Sequence, residues 1–367
     1  MLLYVDDCLC VSEHGKEALL EVDKYFPMKP GSIDEPKLYL GAKIGKIDLP
    51  NGVKSYYMST SQYVKEAITG IERSLTKKGL KLPKARSTPL CSNYSPEIDV
   101  SLELDDEDTT FYQSLIGILR WMVEMGRIDI STEVSMMSSY SAMPREGHLQ
   151  QLYHLFSYLK SHHNARIVFD PSYPEVDFDA FKHDGDWGIH YKDLKEDIPP
   201  NAPEALGKEM IIRAYVDASH AGCKVTRRSQ TGFIVLLNSA PIYWLSKKQT
   251  SVETSTFGSE FVAMKSCCEY LRGLRYKLRM MGIPVNNPSF IYGDNQSVLY
   301  NTTLPDSVLK KKSNGIAYHY VREGCAREEW KTSYIKSGSN PADILTKALP
   351  AGEDRKNKVR AILYDIY

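Results

Sequence analysis

Cysteine is scarce in this sequence, and long apolar runs are missing from it. Seven cysteines are spread over 367 residues, and an odd number of scattered thiols is typical of a reduced, cytosolic or nuclear protein. No stretch reaches the ~18 apolar residues that a membrane span needs. The nearest, from Phe233 to Leu245, is interrupted by Asn238 and Pro241. The N-terminus also lacks the basic and apolar regions of a signal peptide. We therefore expect no membrane partner.

The net charge is zero, because 46 basic residues balance 46 acidic ones. The charges are nevertheless segregated along the chain. Residues 71–86 hold six basic residues and one acidic residue, and residues 219–252 hold five basic residues and no acidic one, whereas 95–108 and 175–209 are rich in acids. A local positive field attracts a polyanion even when the whole chain is neutral. Solvated loops are the alternative explanation for each patch.

A chain of 367 residues is long enough for two or three domains. The residue pattern changes four times along it. Strands, turns and helices are predicted before residue 90, helices within 91–170, and mixed α/β structure within 211–350. Between the last two lies a proline-rich, acidic stretch at 171–210, which we interpret as a linker or insertion. Residues 351–367 are predicted to be a tail.

Four acidic residues in the 211–350 region occupy strand ends and helix starts. Asp217 closes a strand, Glu260 begins a long helix, Asp294 follows another strand, and Asp343 lies in the first turn of a helix predicted to start at Asn340-Pro341. Such positions are where α/β sheets place ligands. Four converging carboxylates would repel one another, and a pair of Mg²⁺ or Mn²⁺ ions would relieve that repulsion and support phosphodiester hydrolysis. Singly, each acid also has a plain structural explanation, as a helix-dipole partner, a cap or a turn residue.

Six short motifs in this region make a more specific case. They are Ala214-Tyr215-Val216-Asp217-Ala218, Arg227-Arg228-Ser229-Gln230-Thr231-Gly232, Trp244-Leu245-Ser246-Lys247-Lys248-Gln249, Ser259-Glu260-Phe261, Asp294-Asn295-Gln296-Ser297 and Ala342-Asp343-Ile344-Leu345-Thr346-Lys347. Together they resemble the ribonuclease H domain of copia-type retrotransposon polyproteins. The resemblance implies that the four acids bind two Mg²⁺ or Mn²⁺ ions and cut the RNA strand of RNA/DNA hybrids. Ser219-His220 stand where the family usually has Asp-Trp, beside Asp217 and not on it.

Further residues of this region are candidates for contacts with the hybrid. Two basic pairs on neighbouring elements could carry its backbone, with exposed hairpin ends as the alternative. The predicted nucleic-acid-binding residues are Arg227, Arg228, Lys247, Lys248 and Gln249. His319 lies between the third and fourth acids, where other ribonucleases H carry a histidine that helps product release. A helix-packing role is the alternative for His319.

The first half resembles the C-terminal part of the reverse transcriptase from the same polyproteins. The matching stretches are Tyr4-Val5-Asp6-Asp7, Leu38-Tyr39-Leu40-Gly41, Tyr112-Gln113-Ser114-Leu115-Ile116-Gly117 and Tyr158-Leu159-Lys160. The resemblance implies a truncated palm at 1–90 and a helical thumb or connection region at 91–170. Asp6 and Asp7 would be the remnant of the polymerase site. A third carboxylate and the fingers would have to precede Met1, so we expect a fragment without polymerase activity of its own.

The expected fold is therefore α/β, with a ribonuclease H-like mixed five-stranded sheet and flanking helices in the C-terminal half. The expected function is hydrolysis of the RNA strand of RNA/DNA hybrids, without a small-molecule cofactor. The alternatives are a non-catalytic remnant or scaffold module, and a truncated gene model of a full reverse transcriptase. Other Pol segments or a second copy are candidate protein partners. The family implies a location in the cytoplasm, including virus-like particles, and in the nucleus.

Overall fold

The computed structural model describes residues 1–4, 7–91, 93–183, 185–309 and 311–367. The first half consists of two small sheets and a group of helices. Its elements in chain order are β1 (Leu2–Tyr4), β2 (Asp7–Leu9), α1 (Gly15–Asp23), β3 (Leu38–Tyr39), β4 (Ala42–Asp48), β5 (Lys54–Ser59), α2 (Ser61–Lys77), α3 (Asp106–Glu124), α4 (Ser131–Ser138), α5 (Glu146–Ser161) and β6 (Arg166–Val168). Short 3₁₀ segments occur at Pro96–Ile98 and Ile128–Ile130.

The second half contains the larger sheet and the remaining helices. Its elements in chain order are α6 (Gly188–Tyr191), β7 (Ile212–Ser219), β8 (Gln230–Leu237), β9 (Ala240–Lys248), α7 (Thr256–Met280), β10 (Ser289–Gly293), α8 (Gln296–Thr303), α9 (Gly315–Ala326), β11 (Trp330–Tyr334) and α10 (Glu353–Arg360). Further 3₁₀ segments occur at Asp179–Phe181, Lys312–Asn314, Ser337–Ser339 and Pro341–Leu345.

The two small sheets are antiparallel. β1 and β2 pair with Tyr4 opposite Asp7, and β3, β4, β5 and β6 form a four-stranded sheet in that order. Tyr39 lies opposite Ala42, so the chain turns back on itself directly after β3. Leu40 and Gly41 form the turn with positive φ angles of 52° and 83°, the backbone that two-residue hairpins require.

The helices of the first half bury one apolar core. In α2 the apolar side chains recur at helical spacing, as in Val64, Ile68, Ile71 and Leu75, and they join the buried side chains of α3 and α5. The helix α5 is buried along most of its length. The helices predicted within 91–170 are thus present, and the thumb or connection assignment remains a prediction.

The larger sheet is mixed and has the strand order β9-β8-β7-β10-β11. The strands β7, β8 and β9 are antiparallel, whereas β10 runs parallel to both β7 and β11. The long helix α7 covers one face with buried residues such as Phe261, Met264 and Leu271. The predicted α/β class and the mixed five-stranded sheet with flanking helices are confirmed.

A third core lies between this sheet and the first half of the chain. Its side chains come from 128–167, from β8 and from the C-terminal residues, and they include Ile167, Ile234, Ile344 and Leu363. In addition, the indole Nε1 of Trp244 donates a hydrogen bond of 3.1 Å to the carbonyl of Val123. The two halves therefore share buried contacts.

The stretch at 171–210 contacts the larger sheet closely. Phe181 is buried and meets Phe290 edge-on, with 4.9 Å between the ring centroids. Glu196 accepts hydrogen bonds from Arg275 and Arg279 of α7. A stretch predicted as an acidic linker or insertion thus forms part of the packing around β10 and α7.

The C-terminal residues depart from the sequence-based expectation. Asn340 caps the following turn as predicted, since its side chain accepts a hydrogen bond from the Ala342 N–H at 3.1 Å. The segment it starts is a five-residue 3₁₀ helix, and the last α-helix is α10, inside the stretch predicted as a tail. Leu363 is buried there, and Tyr364 pairs with Arg166 beside β6. Among the described residues, no helix has both the length and the apolar character that crossing a membrane requires.

Candidate active site

Three of the four predicted acids converge at one edge of the larger sheet. Asp217 lies near the end of β7, Asp294 directly follows β10, and Glu260 lies in the second turn of α7. Because β7 and β10 are neighbouring parallel strands, their carboxyl ends meet at the same edge. One carboxylate oxygen from each of the three residues lies within 4.8 Å of the others. We call Asp217, Glu260 and Asp294 the acidic cluster.

Burial and mutual repulsion define the electrostatics of the acidic cluster. Asp217 is 1% exposed and Glu260 is 7% exposed. Burial raises the pKa of Glu260 to about 9, and the carboxylates of Asp217 and Asp294 add to the shift. Burial also raises the pKa of Asp217 to about 6, although Lys347 and Thr346 act in the opposite direction. Ionising all three acids is therefore unfavourable unless a cation joins them.

An oxygen-only set of three close carboxylates suits a hard divalent cation such as Mg²⁺ or Mn²⁺. Such an ion would be held by the three residues of the acidic cluster. A cavity of about 400 Å³ adjoins the cluster and is lined by all three acids. A ligand can therefore reach the carboxylates from solvent.

The fourth predicted acid, Asp343, lies in a different environment. Its Oδ1 is 2.8 Å from Lys347 Nζ, and its Oδ2 is 2.9 Å from Lys358 Nζ. Burial would raise the pKa of Asp343, but the hydrogen bonds from the two ammonium groups outweigh it and lower the pKa. Lys347 Nζ is also 3.6 Å from Asp217 Oδ2. Asp343 is therefore next to the acidic cluster but lies outside the set of three close oxygens.

Several neutral groups hold the acidic cluster in place. The Thr346 hydroxyl donates a hydrogen bond to Asp217 Oδ2, and the Ser337 hydroxyl donates one of 2.5 Å to Asp294 Oδ2. Gln249 Nε2 donates a hydrogen bond of 2.9 Å to the carbonyl of Ser259, the residue before Glu260. These residues fix the strand end, the loop after β10 and the start of α7.

The predicted nucleic-acid-binding residues divide into two groups. Arg227, Arg228 and Lys247 are exposed, and Lys248 is half-buried. Gln249 is buried with its amide turned into the protein, so the predicted surface contact does not fit its position. Its Nε2 donates hydrogen bonds to Thr231 of β8 and Ser259 of α7, a role that no local sequence signal distinguishes from a surface contact.

Arg228 and Lys248 face the first half of the chain across a cavity of about 190 Å³, which we call the basic groove. Tyr94 and Tyr140 line its other side, and Lys248 Nζ lies 5.8 Å from the centroid of the Tyr140 ring. Lys347 lines both the basic groove and the cavity beside the acidic cluster. The two cavities are therefore adjacent, and the residues that line the groove also include Glu97.

His319 and His220 differ in where they lie relative to the acidic cluster. His319 is exposed on α9, and its ring meets that of Tyr318 edge-on. His220 follows β7 directly, lines the cavity beside the acidic cluster, and has Nδ1 3.4 Å from the Ser259 hydroxyl. Sequence reasoning missed His220 as a site residue, although the departure from Asp-Trp at Ser219-His220 was visible.

The predicted polymerase remnant lies in the hairpin of β1 and β2. Asp6 lies outside the described residues. Asp7 is exposed at the start of β2, and its carboxylate accepts a hydrogen bond of 3.4 Å from the Leu40 N–H. A polymerase role for these two residues remains a prediction.

The fold and the site together define an α/β protein with a largely buried acidic cluster, which lies where two parallel strands end beside a helix. Comparison with known sequences then identifies its relatives. The chain is 26% identical over 352 residues to the retrovirus-related Pol polyprotein from transposon RE1 of Arabidopsis thaliana, a match that covers 95% of this chain and 20% of that polyprotein. It is also 26% identical over 357 residues to the corresponding polyprotein from transposon TNT 1-94 of Nicotiana tabacum, covering 95% of this chain and 23% of that one.

The chain is thus homologous to the Pol polyproteins of copia-type retrotransposons, which confirms the relationship predicted from its motifs. It spans about a fifth of the length of these relatives. No family model matches it. Among solved structures, ribonuclease H1 from Halobacterium salinarum aligns with 37% of this chain and 93% of its own, at 14% identity and a TM-score of 0.30. That score is too low to support a functional argument.

Proposed function

We propose that this chain is a cation-dependent ribonuclease H, which hydrolyses the RNA strand of RNA/DNA hybrids. The observation that carries the proposal is the convergence of Asp217, Glu260 and Asp294, with an oxygen of each within 4.8 Å of the others. Homology to transposon Pol polyproteins supports a nucleic-acid substrate. The position of the basic groove beside the acidic cluster supports the same substrate class.

The side chains of the site have distinct proposed roles. Asp217 and Asp294 would be the central ligands of the cation, and Glu260 would bind it while orienting the attacking water. When bound, a divalent cation supplies Lewis-acid activation and neutralises charge on the phosphate. Arg228 and Lys248 would hold the hybrid backbone. The products would be a 3′-hydroxyl and a 5′-phosphate, and contacts with 2′-hydroxyl groups would distinguish the hybrid from duplex DNA.

The number of ions is a separate question. The family resemblance implies two ions and four carboxylate ligands. In the structure, three carboxylates are close enough to share one ion, whereas Asp343 would have to give up the 2.8 Å contact with Lys347 to serve a second. The proposal of a divalent cation holds for either number.

The test is cleavage of a labelled RNA/DNA hybrid by the full chain with Mg²⁺ or Mn²⁺, beside single-stranded RNA and duplex DNA. We expect cutting of the hybrid alone, and its loss in Asp217→Asn. Asp306→Asn is the matched control, because the side chain of Asp306 is 89% exposed and pairs with His190 on the surface. It should cut like the parent chain.

Two results would refute the proposal. One is cation-dependent cutting that persists in Asp217→Asn. The other is no cutting by a chain that circular dichroism and size exclusion show to be folded, which would favour the non-catalytic remnant or scaffold. Association with other Pol segments or a second copy, and location in the cytoplasm or nucleus, are proposals that follow from the homology.

A further inference from the structure

Lys347 lies between two of the predicted metal ligands, and its ammonium group is close to both. Its Nζ is 2.8 Å from Asp343 Oδ1 and 3.6 Å from Asp217 Oδ2. Asp217 belongs to the acidic cluster, so the ammonium lies directly beside the oxygens that suit a cation. Lys347 also follows the Pro341–Leu345 segment closely, and its side chain lines the cavity of the cluster.

The charges around the site favour one divalent ion. Four ionised carboxylates carry four negative charges, which one divalent cation and the ammonium groups of Lys347 and Lys358 would balance. A second divalent cation would leave an excess of positive charge in a largely buried site, which is unfavourable. Lys358 additionally pairs with Asp354, whose side chain is 60% exposed and is screened by solvent.

We propose that the ammonium group of Lys347 takes the place of a second cation, so that the acidic cluster binds a single divalent ion. This inference rests on the proposed function, since it concerns the cation of that same site. Asp343 then acts through Lys347: it holds the ammonium beside Asp217, and Lys358 holds Asp343. In the reaction, Lys347 provides a fixed positive charge beside Asp217.

The experiment counts bound Mn²⁺ in the full chain by calorimetric titration and by electron paramagnetic resonance of the free ion. Only ions that are lost in Asp217→Asn belong to the site. We expect one such ion in the parent chain and two in Lys347→Met, where removal of the ammonium frees Asp343 for a second ion. Lys347→Arg retains the charge and should bind one.

The matched control is Lys356→Met, because Lys356 lies on α10 and pairs with Glu353 on the surface rather than with the site. It should bind one ion. Lys347 is 45% exposed at its side chain, so its replacement by methionine should leave the fold intact, and thermal unfolding checks this. If Lys347→Met does not fold, the number of Mn²⁺ ions bound by the parent chain tests the inference by itself.

Two ions in the parent chain would overturn the inference, and so would one ion in both the parent chain and Lys347→Met. The hybrid-cleavage assay separates this inference from the proposed function. A chain that binds one ion and cuts no hybrid refutes the function and leaves the cation count standing. A chain that binds two ions and cuts the hybrid refutes the inference about Lys347 and supports the proposed function.

Discussion

Replacing Glu260 by glutamine should change how the stability of the cation-free protein depends on pH. Burial raises the pKa of Glu260 to about 9, with Asp217 and Asp294 contributing, whereas an unfolded chain has a glutamate pKa of about 4.3. Between these values the folded chain retains a proton that the unfolded chain releases. The free energy of unfolding therefore falls as pH rises, by about 1.4 kcal/mol per pH unit from this one group.

Integrated from pH 5 to pH 8, the loss is about 4 kcal/mol. Glutamine does not titrate, so the Glu260→Gln chain should gain about that much stability over the parent chain across this range. The measurement is urea unfolding of both chains in EDTA at several pH values between 5 and 8. The difference between their free energies of unfolding is the quantity of interest, because groups distant from Glu260 contribute equally to both chains and cancel.

Glu269→Gln provides the control, since Glu269 is on the same helix and half-exposed, paired with Lys265. Its difference from the parent chain should stay constant with pH. The reasoning is refuted if the difference for Glu260→Gln is equally constant. Adding Mg²⁺ should stabilise the parent chain more as pH rises, because the cation binds the ionised carboxylates, and should stabilise Glu260→Gln much less.

The remaining predictions concern packing and buried charge. Gly324→Ala should destabilise the protein by about 1–3 kcal/mol, because a Cβ there would lie 1.9 Å from an atom of the Trp330 ring. Gly273→Ala on α7 meets no atom within 4 Å and should instead stabilise by about 0.5–1 kcal/mol through helix propensity. Arg355→Met should cost about 1–3 kcal/mol, because Arg355 donates a buried hydrogen bond of 2.9 Å to the carbonyl of Asp129 and ties α10 to the first half. Thermal or urea unfolding measures all three.

The two glycine substitutions are expected to change the free energy of unfolding in opposite directions. Equal effects of Gly324→Ala and Gly273→Ala would contradict the close contact between Gly324, on α9, and the Trp330 ring. For Arg355→Met, an unchanged unfolding midpoint would show that α10 contributes little to the contact between the two halves. Hybrid cleavage by the Arg355→Met chain would in addition report whether the position of α10 matters for Asp343, which α10 contacts through Lys358.

Local sequence was sufficient to find the acidic cluster. Strand ends and helix starts follow from the pattern of a few residues on either side. That pattern, together with the short motifs around it, singled out Asp217, Glu260 and Asp294, and Asp343 with them. The α/β class, the mixed sheet and the relationship to Pol polyproteins were likewise predictable. Each depends on periodicity or on short motifs, which are properties of neighbouring residues.

Tertiary structure decided the environment of the fourth acid. The sequence treats Asp343 as the equal of the other three, because its place at the start of a turn resembles theirs. Two ammonium groups hold it in the fold, and one of them, Lys358, comes from a helix inside the stretch predicted as a tail. That helix is held by buried contacts with residues far away in the chain, such as the hydrogen bond from Arg355 to Asp129.

The sequence by itself thus determined which acidic residues lie at the sheet edge. It also determined that the chain is related to Pol polyproteins. It did not determine which of those charges are already neutralised, nor that Gln249 is buried and His220 lines the site. Charge compensation acts through space, over a few ångströms between groups that are distant in the chain. It therefore depends on how α10 and the halves of the chain pack together, which no local pattern of residues specifies.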